Sequence, residues 1–294
     1  MAPGPGAALR RWRRDAGARY FAGVRLKDVF FLLGLKPRPR TYGTDVVTVD
    51  LPKDGIIRYA LWRHPRMDRA TVSQAAVDAL RTFLRPGDVC IDVGAHAGDT
   101  AVPMALAVGP TGCVLALEPN PYVFPVLAEN AMLNPSKATI VPLMFAATPE
   151  DGPITFEYSD AGFCNGGRHE ITRWRHGHAF TLEVQGRNLE RVLRTEHAAL
   201  LPRLRFIKVD AEGFDHAVMA TLTGIIGELH PYLMAEVYTH TTGEQRVAFL
   251  RFLRGLGYDV RRVAGEPGLP GEPLDDGDVM RWRRFDVLCV PRGG

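Results

Sequence analysis

The sequence predicts an α/β fold, an open parallel sheet with helices on both faces. Two observations predict it. Short apolar runs at Val89 to Val93, Val114 to Leu117, Ile140 to Phe145, Phe206 to Val209 and Tyr232 to Val237 alternate with helical segments. The first run opens into a glycine-rich turn, DVCIDVGAHAGDT from Asp88 to Thr100, and α/β folds bind ligands at such strand ends. The chain has 294 residues, 46% hydrophobic and 23% charged, which suits one large domain with an extension and excludes a disordered or fibrous chain. A net charge of +3 neither demands nucleic acid nor rules it out, because binding depends on where the charge lies.

Residues 1–44 read as a basic N-terminal helical extension, with Leu9, Trp12, Ala16, Tyr20, Phe21 and Val24 near helical spacing among arginines. Its candidate roles are packing on its own domain, peripheral contact with an anionic membrane, and pairing in a homodimer. The stretch Lys36-Pro37-Arg38-Pro39 breaks it. Arg13 and Arg14 stand where a twin-arginine signal turns apolar, and Val29 to Leu35 is far shorter than the ~20 residues that span a bilayer, so a cytoplasmic protein is expected. The domain from 45 to 294 opens with a hairpin, strands Asp45 to Leu51 and Ile56 to Trp62 around the turn Pro52 to Gly55. Val72 to Leu84 fits an amphipathic helix. An insertion at about 148–204, between the third and fourth runs, carries strand-like ITFEYS and TLEVQG and has the length of a binding lid. A helix from Gln245 and two antiparallel strands, GLGYDVRRV and FDVLCV, close the sheet. Cys90, Cys113, Cys164 and Cys289 lack C-x-x-C spacing and read as buried thiols.

The glycine turn decides between two ligands. A dinucleotide site wants G-x-G-x-x-G, but counting from Gly94 places His96 and Asp99 where the second and third glycines belong. The spacing that fits is acidic-x-Gly-x-x-x-Gly, with Asp92, Gly94 and Gly98, and Asp99 at the helix mouth repels a pyrophosphate while tolerating an ammonium or sulfonium. Glu118, 24 residues after Gly94 in VLALEPNP, sits where an acid accepts hydrogen bonds from ribose hydroxyls. A plain strand-to-helix turn and a solvated strand-end Glu are the bland alternatives.

On PGDVCIDVGAHAGDT, VLALEPNP, FIKVDAEGFD and LMAEV the chain resembles the FkbM family of class I S-adenosylmethionine-dependent methyltransferases, over roughly residues 45–290. The resemblance implies a Rossmann-like seven-stranded sheet and O-methylation of a sugar, glycolipid or polyketide-type natural product. His96 departs from the small residue usual there. The candidate cofactor set is Asp92, Gly94, Ala95, His96, Gly98, Asp99 and Thr100 in the turn, Glu118, Pro119 and Asn120 after the second strand, Ala146 after the third, and Asp210 after the fourth.

Asp210 and Glu212 end the fourth strand, and if Ala211 stays extended they point the same way. A carboxylate there can take the proton from an attacking hydroxyl, and crowding raises the proton affinity of one of the pair. A magnesium ion between Asp210 and Glu212 is the alternative use. Lys208 alternates with them and could hold one ionised. Asp215 reads as a helix-dipole residue. Glu236 and Tyr238 face the same cleft as substrate-binding candidates, and His240 is a second candidate base. In the insertion, Trp174 and Arg175 suit stacking on a sugar and gripping a phosphate. The rival readings are an NAD-dependent oxidoreductase, an RNA methyltransferase, and a cofactor-free binding module. The expected partner is a small-molecule or glycan acceptor with a free hydroxyl, with no nucleic acid.

Overall fold

The structure, a computed structural model, describes residues 38–67, 72–158, 161–164, 166–167 and 180–292. The expected helix of the basic extension lies almost wholly outside them. The chain enters through a hairpin, β1 (Thr44–Leu51) and β2 (Gly55–Trp62), whose register pairs Leu51 with Gly55, so the turn is one residue tighter than its sequence suggests. Helix α1 (Gln74–Leu80) follows, shorter than its apolar pattern, with the Ser73 hydroxyl accepting from Ala76 N as its N-cap. Then come β3 (Val89–Val93), α2 (Ala101–Val108), β4 (Cys113–Leu117), α3 (Phe124–Met132) and β5 (Ile140–Leu143). Every residue of β3 and β4 is buried, as continuous apolar runs must be in a sheet covered on both faces.

The stretch expected as one insertion divides in two. Strands β6 (Ala146–Ala147), β7 (Gly152–Tyr158), β8 (Gly166–Gly167) and β9 (Phe180–Arg187) form a small separate sheet in the order β6-β9-β7-β8. Helix α4 (Leu189–Glu196) instead buries Leu189, Val192 and Leu193 in the main core, and is the crossover that parallel strands require. Beyond it lie β10 (Leu204–Val209), α5 (Asp215–Ala220), α6 (Thr223–Leu229), β11 (Tyr232–Val237), α7 (Gly243–Gly255), β12 (Tyr258–Val263), β13 (Pro270–Pro273) and β14 (Phe285–Pro291).

Among the described residues the main sheet has eight strands in the order β13-β12-β14-β11-β10-β3-β4-β5. Strands β11, β10, β3, β4 and β5 run parallel, and β14 lies antiparallel between β11 and β12. The one strand beyond the expected seven is β13, which adds an edge. It carries proline at both ends, and edges are where a strand tolerates proline. Helices α4 to α7 cover one face, and the hairpin with α1 and α2 covers the other.

One buried side chain joins the hairpin to the glycine turn. The Asn130 amide accepts from Ala60 N at 2.8 Å and donates to Ala60 O at 3.0 Å and Ala97 O at 2.8 Å. Asn130→Ala leaves those groups buried and unpaired, so we expect a loss of about 1–3 kcal/mol. A thermal melt reads it as roughly 2–4 °C per kcal/mol.

Candidate active site

The parallel strands end in a row, and the functional candidates sit on the residues just beyond them. Gly94 N and Ala95 N both donate to Leu117 O, Glu118 N donates to Leu143 O, and Asp210 N donates to Val93 O at 3.0 Å. Gly94 (φ 77°) must lack a side chain, because a Cβ there would lie 2.1 Å from the Asp210 carbonyl oxygen. His96 also takes a left-handed φ of 48°. Its ring stands against Trp62 of the hairpin with centroids 5.5 Å apart, and its Nε2 lies 3.1 Å from Cys164 O.

Both oxygens of Glu118 meet backbone donors, His96 N at 2.9 Å and Asn120 N at 2.9 Å. Burial pushes this carboxyl up, while His96 and the two backbone donors pull it down. Asn120 in turn donates to Phe163 O at 2.7 Å, and Phe163 stacks on Tyr122 at 4.2 Å. The start of the insertion is thus tied to the turn on both sides of Glu118.

Beneath the turn, Asp92 is wholly buried. Thr100 Oγ1 donates to one of its oxygens at 2.6 Å and Lys208 Nζ to the other at 3.2 Å. Lys208 also reaches Asp210 Oδ2 at 3.6 Å. Burial opposes the ammonium charge, but Asp92, Asp210 and Asp99 outweigh it and hold Lys208 protonated above the ordinary lysine range. Complete burial pushes Asp92 up, against the pull of Lys208 and Thr100.

Above the strand ends lies a cluster of carboxyls. Asp210 is one-third exposed, with a side-chain accessibility of 33%. The chain does not stay extended after it, as the alternation argument required. Glu212 is turned into the left-handed region at φ 49°, a strained place for a side chain of its size. Burial, then the Asp210 charge, raise the Glu212 carboxyl above its usual range, against Arg284, His96 and a hydrogen bond with Tyr238. Glu236 lies across the β11–β14 pair from Asp286, two acids facing each other where like charges repel. Burial and Asp210 push Glu236 up to about 9, against the Arg284 guanidinium that forms an ion pair with it. The Arg284 contact is made by Oε1, and Oε2 has no hydrogen-bond partner among the described residues. Asp215 is more than a helix-dipole residue. Its buried carboxylate accepts from Ala211 N at 3.4 Å, Gly213 N at 3.2 Å and Glu236 N at 3.2 Å, stapling the turn to β11, and burial with Asp210 pushes it up to about 7.

The family model of the methyltransferase FkbM domain matches residues 92–260, more than half of the chain and the segment that holds this row of strand ends. The chain belongs to the FkbM methyltransferase family. As a member it is an S-adenosylmethionine-dependent methyltransferase. Among solved structures, the FkbM methyltransferase of Methylobacillus flagellatus KT is 12% identical, with a TM-score of 0.44 over 74% of this chain and 51% of that one. A putative rRNA-methylase from Clostridium thermocellum is 12% identical, TM-score 0.42, over 76% of this chain and 100% of that one. Aeropyrum pernix fibrillarin with bound S-adenosyl-L-methionine is 13% identical, TM-score 0.41, over 86% and 97%. The chain spans about half the length of the Methylobacillus protein. No curated protein matches the chain.

Within this FkbM domain the other candidates are spread unevenly. Asp99 is exposed at the mouth of α2, Pro119 is half-buried beside Glu118, and Ala146 is buried in β6 opposite Gly186. Tyr238 adjoins the carboxyl cluster, whereas His240 is exposed, its ring 5.4 Å from that of Tyr238. Trp174 and Arg175 lie outside the described residues. Among the described residues, no group of three or more His, Cys, Asp or Glu side chains is placed to hold a metal ion, and no helix is long and apolar enough to cross a membrane. All four cysteines are buried, with no disulfide between them among the described residues. Sequence reading missed Arg284 and Asp286, which join the cluster from β14 and the residue before it, and Arg246 of α7, which donates to the loop before β14.

Proposed function

We propose that this methyltransferase acts on a hydroxyl of a sugar, glycolipid or polyketide-type natural product, with Glu212 as the general base. Bound S-adenosylmethionine supplies an electrophilic methyl on a sulfonium. The residues suit that cofactor: Gly94 leaves a floor without a Cβ, and Glu118, held by two backbone N–H groups, keeps lone pairs for ribose hydroxyls. Asp92 acts from below, fixing the turn through Thr100 and Lys208.

The observation that carries the reading is the contrast between the two neighbouring acids. Asp210 forms an ion pair with the Lys208 ammonium at 3.6 Å. Glu212 has burial and the Asp210 charge raising its proton affinity, which suits a base that must accept a hydroxyl proton. Asp210 then serves as a fixed negative charge. Tyr238 orients Glu212, and the opening of the insertion, tied down through His96 and Asn120, frames the acceptor side.

The test is incubation with methyl-labelled cofactor and a panel of hydroxylated sugars and polyketides, with the product read by NMR. A new methoxy signal supports the reading. A methyl found on nitrogen or carbon, or transfer only to RNA, overturns it.

A further inference from the structure

We infer that Arg246 is a positioning residue, a buried guanidinium that sets Arg284 and Tyr238 over the carboxyl cluster by gripping the two loops that carry them. This inference rests on the methyl-transfer reading of the cluster. Arg246, in α7, is 2% exposed and has no carboxylate partner among the described residues. Such a cation is costly to bury, and burial alone pulls it below the ordinary arginine range. Hydrogen bonds offset that cost. Nη1 donates to Val279 O at 2.8 Å and Trp282 O at 2.8 Å. Nη2 donates to Arg283 O at 2.7 Å, Tyr238 O at 2.9 Å and Thr239 O at 3.4 Å, and Nε donates to Thr241 Oγ1 at 3.1 Å.

These acceptors belong to only two segments. Tyr238, Thr239 and Thr241 follow β11, whose last residues include Glu236. Val279, Trp282 and Arg283 precede β14 and lead into Arg284, the cation paired with Glu236. The planar fork therefore fixes the distance between the loop that bears Tyr238 and the loop that bears Arg284. Phe285 closes the site from the side, its ring centroid 5.8 Å from the guanidinium carbon. A lysine offers three donors from a single point and no plane, so it cannot reproduce the spacing that the fork sets between the segments. The consequence lies at Glu236, which faces Asp210, Glu212 and Asp215 from the β10–α5 side, Tyr238 from its own strand end, and Arg284 and Asp286 from β14.

The experiment titrates the Glu236 carboxyl by carbon-13 NMR in the full-length chain, assigned with Glu236→Gln. It compares wild type, Arg246→Lys, Arg284→Gln and the double variant. Losing the Arg284 charge raises the Glu236 midpoint, by roughly one pH unit for an opposite charge in contact. We expect Arg246→Lys to produce most of that rise, and the double variant to go no further than Arg284→Gln alone. S-adenosylhomocysteine affinity should stay within about twofold, since the turn after β3 is untouched. A lowered melting temperature with an unmoved Glu236 midpoint, or shifts that simply add in the double variant, overturns the inference. If Arg246→Lys does not fold, Thr241→Ala removes one acceptor, and a Glu236 midpoint unmoved in it counts against the inference equally. Failure of the wild type to bind S-adenosylhomocysteine would count against the cofactor site while leaving the titration readable.

Discussion

Replacing Lys208 by methionine is expected to lower the unfolding free energy by about 3–5 kcal/mol, because it strands buried charge. Lys208 is 5% exposed and Asp92 0%, so water cannot replace the lost ammonium. Asp92 would retain only Thr100, and Asp210 would lose its counter-charge. Against a typical total of about 5–15 kcal/mol, the loss is large enough to read in a urea midpoint. The double variant Lys208→Met with Asp92→Asn should recover part of it, since the stranded charge is gone. A single-variant loss below about 1 kcal/mol would mean that the pair behaves as a solvated one.

Glu212→Gln is expected to slow methyl transfer by about 10²–10⁴ while leaving S-adenosylhomocysteine affinity unchanged. The pH dependence follows from the direction of the shift. Glu212 acts deprotonated and its carboxyl is raised, so activity falls as pH drops through a value above the ordinary glutamate range. Asp210→Asn removes one cause of that elevation, so the acid limb should move to lower pH. In Glu212→Gln the limb attributed to this group should vanish. An acid limb that persists unshifted in Glu212→Gln, measured on any acceptor found by the screen, would assign the base elsewhere.

Much of this architecture was legible in local sequence. The buried strands Val89–Val93 and Tyr232–Val237 announced themselves as uninterrupted apolar runs, and the hairpin was placed to within a residue. Where structure departed from expectation, a crossover or a side-chain contact decided. Helix Leu189–Glu196 was hidden because LERVLRTE lies inside the stretch read as a single insertion, and only the need for a crossover reveals it. The shared direction of Asp210 and Glu212 depended on an extended backbone between them, but Asp215 accepts from Ala211 N and Gly213 N across a turn, and Glu212 takes a left-handed φ. The carboxyls near 210 and the neighbouring Lys208 were visible in sequence, yet the more distant residues around them were not. Arg246, Arg284 and Asp286 are distant in the chain, and nothing in their own neighbourhoods marks them.

The central claim is that the turn from Asp92 to Thr100, with Glu118, holds the cofactor. The most direct test is a calorimetric titration of the wild-type protein with S-adenosylhomocysteine and, separately, with NAD, repeated on Glu118→Gln and Glu118→Ala. A carboxylate hydrogen bond to a ribose hydroxyl contributes about 1.5–3 kcal/mol, so losing two should weaken S-adenosylhomocysteine binding by roughly a hundredfold or more. The account predicts that loss in both variants and no binding of NAD to the wild type. Unchanged affinity in well-folded Glu118 variants, or a wild type that prefers NAD, would contradict it.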